Sequence, residues 1–310
     1  MNVLTAIFIK IVSTALFAAM GALVRFIGDE VPVGQIVFFR SAFAIVPVVI
    51  IYAWRHELGA AVRTGRPLGH VLRGLISVAG MFLNFAALAR LQLVDATAIS
   101  FASPLITVAL AAIVLKEKVR IYRWSAVAVG FLGVIVMLWP YLDASRFVAA
   151  GSAVATVGAL CAIGSAFTNA GSVIQTRRLT DSETTSAIVF YFSLICAVAG
   201  LCTLPFGWHH PTMAELAALV SIGILGGLSH ILLTESYRWA AASVVAPFDY
   251  TAMLWAFVLG YVFFGELPNA YIFVGALIVV ASGLFVLWRE RYLGVERVRT
   301  SAVEGPPVGE

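Results

Sequence analysis

Residues 111–124, AAIVLKEKVRIYRW, and residues 260–273, GYVFFGELPNAYIF, share one layout: an apolar run, a glutamate at its end, a short turn and a tyrosine. Sliding the chain against itself by 149 residues lays Glu117 on Glu266 and Tyr122 on Tyr271. The same ungapped register pairs Gly74 with Gly223, Leu105 with Leu254, Leu138 with Leu287 and Trp139 with Trp288. Leucine matches weigh little in so apolar a chain. Glu, Tyr and Trp are scarcer and carry the comparison, and the apolar and polar segments coincide along the register. The sequence therefore reads as two related halves.

The solvent follows from composition. Of 310 residues, 61% are hydrophobic and only 12% charged, with a mean hydropathy of +0.99. Soluble domains carry about 25% charged and 45–50% apolar residues. A membrane-spanning helix needs roughly 20 apolar residues, and ten runs qualify, centred on 3–24, 34–53, 72–90, 95–115, 122–141, 148–174, 184–206, 214–236, 239–264 and 270–288. They are continuous rather than alternating, as helices require and barrel strands do not. The first run, with Lys10, has the look of a signal peptide, but nine more follow and it is read as the first span.

The fold expected is an all-α integral membrane protein. Its ten transmembrane helices form two inverted five-helix repeats, residues 1–143 and 144–288, followed by a disordered cytoplasmic tail over 289–310. The inversion follows from parity, since a half with an odd number of spans enters the membrane upside down relative to its copy. Inverted repeats with a midplane site are the architecture of alternating-access carriers.

A net charge of +4 would ordinarily raise nucleic acid as a partner. Here 15 of the 20 Lys and Arg fall in one alternate set of connections, including 55–73, 116–123, 175–183 and the tail; only Arg25, Arg90 and Arg146 fall in the other. Positive charge stays cytoplasmic, so both termini are placed inside and no nucleic-acid partner is expected. The partners expected are the lipid bilayer and a small-molecule substrate, with a homodimer left open. Cys161, Cys196 and Cys202 lie in apolar segments without ligand spacing, so neither disulfide framework, metal nor cofactor is expected.

Charge within a span is costly and marks pathways or ion pairs. Arg40, two turns into the second span, suits a carboxylate or phosphate, or an interhelical anchor bonded to carbonyls. Asp249 follows Pro247 by two residues. Proline frees a carbonyl and opens the helix, which suits an acid facing a cavity; the competing reading is a pair with Arg238. Asp249 and His230 are the candidates for proton coupling. Asn84, Phe85, Phe101, Tyr250 and Trp255 complete the candidate substrate-binding set, the aromatic members suiting a planar substrate. Glu117 and Glu266 are expected to be structural groups at helix ends, and Glu235 with Arg238 an i,i+3 pair.

Three stretches, FFRSAFA (38–44), DATAISFASPLITVALAAIVLKEKV (95–119) and APFDYTAMLWAFVLGYVFFGE (246–266), resemble the EamA family of the drug/metabolite transporter superfamily. The resemblance covers about residues 5–288. It implies a ten-helix carrier of small metabolites that uses no ATP, in a family whose substrates include amino acids, vitamins and nucleotide-like compounds. The branch most similar includes riboflavin and S-adenosylmethionine carriers. The expected function is thus a secondary transporter of a small polar or aromatic metabolite in a bacterial inner membrane, riboflavin among the candidates, or else an exporter of amino acids or other metabolites. A membrane-embedded enzyme or a non-transporting accessory subunit is the rival class. Against an enzyme, there is no HExxH, GxSxG, Walker or dinucleotide motif.

Overall fold

The computed structural model describes residues 3–28, 30–54, 64–114, 121–142, 150–180, 183, 185–239 and 246–303. All regular structure among them is helical: α1 (Val3–Ile27), α2 (Val33–Trp54), α3 (Pro67–Leu88), α4 (Leu93–Ser100), α5 (Ala102–Val114), α6 (Ile121–Leu142), α7 (Ala150–Thr180), α8 (Thr185–Leu201), α9 (Met213–Trp239), α10 (Thr251–Phe264) and α11 (Ala270–Val303). Seven helical segments, α4 and α5 counting as one, are long and apolar enough to span a bilayer. Three shorter apolar ones accompany them, Val33–Pro47, Phe248–Phe264 and Ala270–Val286. The protein is a multi-pass membrane protein. Large apolar side chains such as Ile121, Leu68 and Phe273 face outward, where lipid replaces water.

The packing pairs recur. Helix α1 lies on α9 as α7 lies on α3, and α2 meets α9 as α8 meets α3. Likewise α1 packs against α10 as α7 packs against α4 and α5. The remaining large contacts, α2 with α8 and α6 with α11, each join a segment to the one five spans on.

Lipid tails are as apolar as leucine, so helices associate in the membrane through close packing of small residues. At the α6–α11 crossing a Cβ on Gly133 would sit 2.7 Å from the Gly275 carbonyl oxygen, and the reverse contact is tighter still. Backbone thus lies on backbone. Gly275→Val is expected to force the pair apart and destabilise the protein by about 1–3 kcal/mol, read as a lower Tm in detergent. An unchanged Tm would mean the crossing yields.

The structure departs from the sequence expectation in three places. The fourth span is broken at Phe101 into α4 and α5. Pro104 lacks an amide proton, and the Thr97 and Ser100 hydroxyls bond back to the Leu93 and Thr97 carbonyls, which bends helices. The seventh span, expected to reach 206, stops as an α-helix at Leu201 and finishes in a 3-10 turn, Leu204–Phe206, closed by Gly207 at φ +90°. Helix α11 runs on to Val303, through residues where a disordered tail is expected. Its extension is rich in helix-forming Arg, Glu and Leu, and Trp288 stacks on Tyr292 at 6.0 Å, with Arg289 over the same ring.

Polar clasps sit at both ends of α8. Beyond its C-terminus, Gln35 donates to the His209 carbonyl (3.0 Å) and accepts from the His209 amide (3.1 Å). Thr212 and Glu215 form a capping box at the start of α9. Near its N-terminus, Glu183 Oε1 accepts from the Gly65 and Arg66 amides, both 2.9 Å, and from Thr64 at 3.1 Å. Glu183 Oε2 lies 3.3 Å from His70 Nε2.

Burial pushes the Glu183 carboxyl up, but His70, the Gly65 amide, Thr64 and the Arg66 amide together outweigh it and hold the group below its ordinary 4.5. A depressed acid contributes stability that is complete above its unfolded value and lost as pH falls through the folded one. The wild-type Tm is therefore expected to drop below about pH 4.5 more steeply than that of Glu183→Gln, measured by thermal unfolding in detergent. Parallel curves would remove the clasp from the acid limb.

Candidate functional site

Pro247 prevents the chain before α10 from closing as an α-helix, and Ala246–Tyr250 form a 3-10 turn instead. The turn carries Asp249, whose Oδ1 lies 2.5 Å from Lys10 Nζ of α1. The Lys10 side chain is fully buried, whereas that of Asp249 is 45% exposed. The carboxylate is thus held from behind and open in front. A hydroxyl pair ties α1 to the residue after the break, Thr14 Oγ1 meeting Thr251 Oγ1 at 2.7 Å, and Ser13 ties α1 to α9 by donating to the Ser229 carbonyl at 2.8 Å.

The two interrupted spans bring their aromatics together. The Phe101 and Tyr250 rings lie 5.1 Å apart at 34°. A Cβ on Gly283 would fall on the Tyr250 hydroxyl, so only glycine lets α11 pass there.

A second cluster lies between α2, α3, α8 and α9. The Arg40 guanidinium carbon is 5.5 Å from the Phe192 ring centroid, and that of Arg73 is 5.1 Å from the same centroid. Arg73 donates from Nε to Thr176 Oγ1 (2.6 Å) and from Nη1 to the Ile188 carbonyl (3.0 Å). Arg40 is 4% exposed, and its Nη1 has no hydrogen-bond partner. His230 meets Phe17 edge-on at 5.0 Å and Phe192 at 6.2 Å.

A cavity of about 550 Å³ opens at the end of the bundle that holds Arg25 and Arg90, lined also by Gln92, Asp95, Tyr141 and Thr156. The Tyr141 hydroxyl donates to Asp95 Oδ2, and Asp95 Oδ1 is buried without a partner. At the same end Glu266 accepts from the Leu93 amide at 2.8 Å, and its other oxygen lies 3.3 Å from Arg25 Nε. Arg25 also donates to the Ala89 carbonyl at 3.0 Å.

Of the residues singled out from sequence, Asp249, Tyr250 and Phe101 come together, while Arg40 and His230 join the second cluster. Trp255 follows one turn into α10, its indole Nε1 without a protein partner. Asn84 is half-buried on α3, and its neighbour Phe85 is 2% exposed within the helix-packed core. Among the described residues the Asp249 carboxylate is paired with Lys10, because α1 packs directly on the break; the pairing with Arg238 weighed from sequence rests on a side chain outside the described residues. Arg73, counted from sequence among loop charges, is the seventh residue of α3. Glu117 and the side chain of Arg238 lie outside the described residues, and so does the proposed pairing of Glu235 with Arg238.

Lys10, Arg73, Phe192 and Asp95 were not singled out as site residues. Lys10 had a signal, being a lone cation in an apolar run. Phe192 had none among 21 phenylalanines.

Comparison with known proteins bears on this geometry. The model of the EamA-like transporter family matches residues 4–139 and 156–288. An S-adenosylmethionine uptake transporter of Rickettsia bellii is 28% identical over 275 residues, covering 86% of this chain and 88% of that protein. The pseudopaline exporter CntI of Pseudomonas aeruginosa is 28% identical, over 90% of this chain and 94% of that one. A riboflavin transporter of Rhizobium johnstonii is 31% identical over 232 residues, 74% of each chain. A crystal structure 19% identical superposes with a TM-score of 0.63 over 93% of this chain and 97% of the other, which speaks for the fold alone. These relatives are transporters, and the family match extends over most of the ten helical segments. The chain belongs to the EamA-like transporter family.

Proposed function

We propose that this protein is a secondary carrier, not an enzyme, moving a small polar or aromatic metabolite across a bacterial inner membrane by alternating access. The observation that carries the reading is Asp249: an intramembrane carboxylate on a helix break, backed by buried Lys10 and half-open in front. Intramembrane charge beside broken helices marks a substrate or ion path. Two inverted halves, 1–143 and 144–288, rock around this point, with both termini cytoplasmic. The recurring packing pairs support the division, as does a family match in two blocks.

In this reading Asp249 receives a cationic or hydrogen-bond-donating group, and Phe101, Tyr250 and Trp255 present aromatic faces to a planar one. Asp249 and His230 are the groups available to couple a proton. The relatives' substrates set the first panel: riboflavin and S-adenosylmethionine, with aromatic amino acids added.

The test is uptake of each labelled compound by cells with and without the protein, with and without a protonophore, followed by efflux from preloaded cells. Saturable flux of one compound that depends on the protein is expected. Protein-independent flux of every compound in both directions would remove the reading for this substrate class.

A further inference from the structure

We propose that Arg40 and Arg73 form an oxyanion subsite, which takes the carboxylate or phosphate of the transported metabolite. The inference rests on the carrier reading and deepens it by naming the substrate's charge. Both guanidiniums share the face or edge of one ring, Phe192, at 5.5 and 5.1 Å. Among the described residues neither has a carboxylate within ion-pair distance.

A guanidinium does not release its proton in proteins. Two such charges beside one ring, Arg40 buried and Arg73 half-buried, repel each other and lose hydration. An aromatic ring offsets only part of that cost. An anion adds the opposite charge that the ring lacks.

The two arginines divide the work. Arg73 is an anchored charge, already bonded to Thr176 and the Ile188 carbonyl. Arg40 is the open ligand, 4% exposed with Nη1 unpartnered. The helix packing leaves space for its stem, since a Cβ on Gly226 of α9 would come within 3.3 Å of Arg40 Nε. A scaffold arginine would be expected to spend its donors on carbonyls, as Arg73 does. The depth fits a midplane site: Arg40 is the eighth residue of α2 and Phe192 the eighth of α8. The substrate class indicated is a small metabolite carrying a carboxylate or phosphate, an amino-acid-like zwitterion included, over a neutral compound.

The experiment is thermal unfolding of the full chain in detergent at fixed ionic strength. The probes are inorganic phosphate, S-adenosylmethionine, L-tryptophan, L-tryptophanamide and riboflavin, each against chloride. At least one oxyanion is expected to raise the wild-type Tm by roughly 2–5 °C, with smaller shifts from the amide and riboflavin. Arg40→Gln should weaken that binding at least about tenfold, the scale of one lost charge-assisted contact. Arg73→Gln should weaken it less and Arg40→Lys should retain part, while exposed Arg178→Gln should match wild type.

The ligand-free Tm adds an independent readout: Arg40→Gln should not lower it, because the variant sheds an unpaired buried charge. A fall there, no oxyanion shift in wild type, or an equal shift in Arg40→Gln would each overturn the subsite. Saturable riboflavin flux without oxyanion binding would sink the subsite and leave the carrier. Oxyanion binding without flux of any compound would do the reverse.

Discussion

Asp249→Asn is expected to reduce flux at least about 100-fold and to lower stability by roughly 3 kcal/mol. Removing one partner of a buried ion pair costs about 3–5 kcal/mol; the lower end applies because Asp249 is 45% exposed while Lys10 is fully buried. Lys10→Met acts on the other side of the pair. It leaves a half-solvated carboxylate, so a smaller loss of stability is expected alongside the same loss of flux. The double variant Lys10→Met/Asp249→Asn separates the roles, since replacing both charges of a pair is often close to neutral for stability. It is expected to regain the wild-type Tm and remain inactive in liposomes. Recovery of flux in the double variant would make the pair a folding device and remove Asp249 from the path.

Glu266→Ala carries the second large effect, and it falls on stability. One side chain serves two elements: Oε2 caps the Leu93 amide at the start of α4, and Oε1 faces the Arg25 guanidinium at the end of α1. Glu266 is 8% exposed, so its removal strands a buried amide and leaves Arg25 only the Ala89 carbonyl. A loss of about 3–5 kcal/mol is expected from the two together. Glu266→Gln keeps an acceptor for Leu93 and loses only the charge, so about half that loss is expected. Tm in detergent and yield of monodisperse protein measure both. Flux per folded molecule in Glu266→Gln should stay near wild type, and a selective loss of flux there would move Glu266 into the transport path.

What was legible in the sequence was whatever hydropathy and parity control. Where an apolar run ends sharply the helix begins within a residue of its expected position, as at Ile121 and Met213. The break beside Asp249 was legible because Pro247 has a local effect. The partner of that carboxylate was not. Lys10 is 239 residues away in sequence, and only the packing of α1 against α10 brings it near. Arg73 was misplaced for a related reason: α3 starts at Pro67, earlier than the apolar run itself, so a basic residue inside the helix passed for a loop charge. Phe85 shows the opposite limit, since an aromatic deep in a span reads alike whether it lines a cavity or fills the core.

The Phe101–Tyr250 contact carries one more consequence. The two residues stand 149 positions apart, the spacing that also relates Glu117 to Glu266. Under the proposed repeat, a residue that touches its own counterpart lies where the pseudo-twofold axis passes. In an ancestor built from two separate, identical, antiparallel five-helix chains, that position would have had to tolerate its own rotated copy. Such a centre presents equivalent faces to both ends of a ligand. Joining the halves into one gene lifts the constraint, and here one copy is a bare phenyl while the other bears a hydroxyl seated against Gly283. Polarity at the centre, needed to tell the head of a substrate from its tail, becomes available only once the two copies can differ in sequence, as they do within one fused chain.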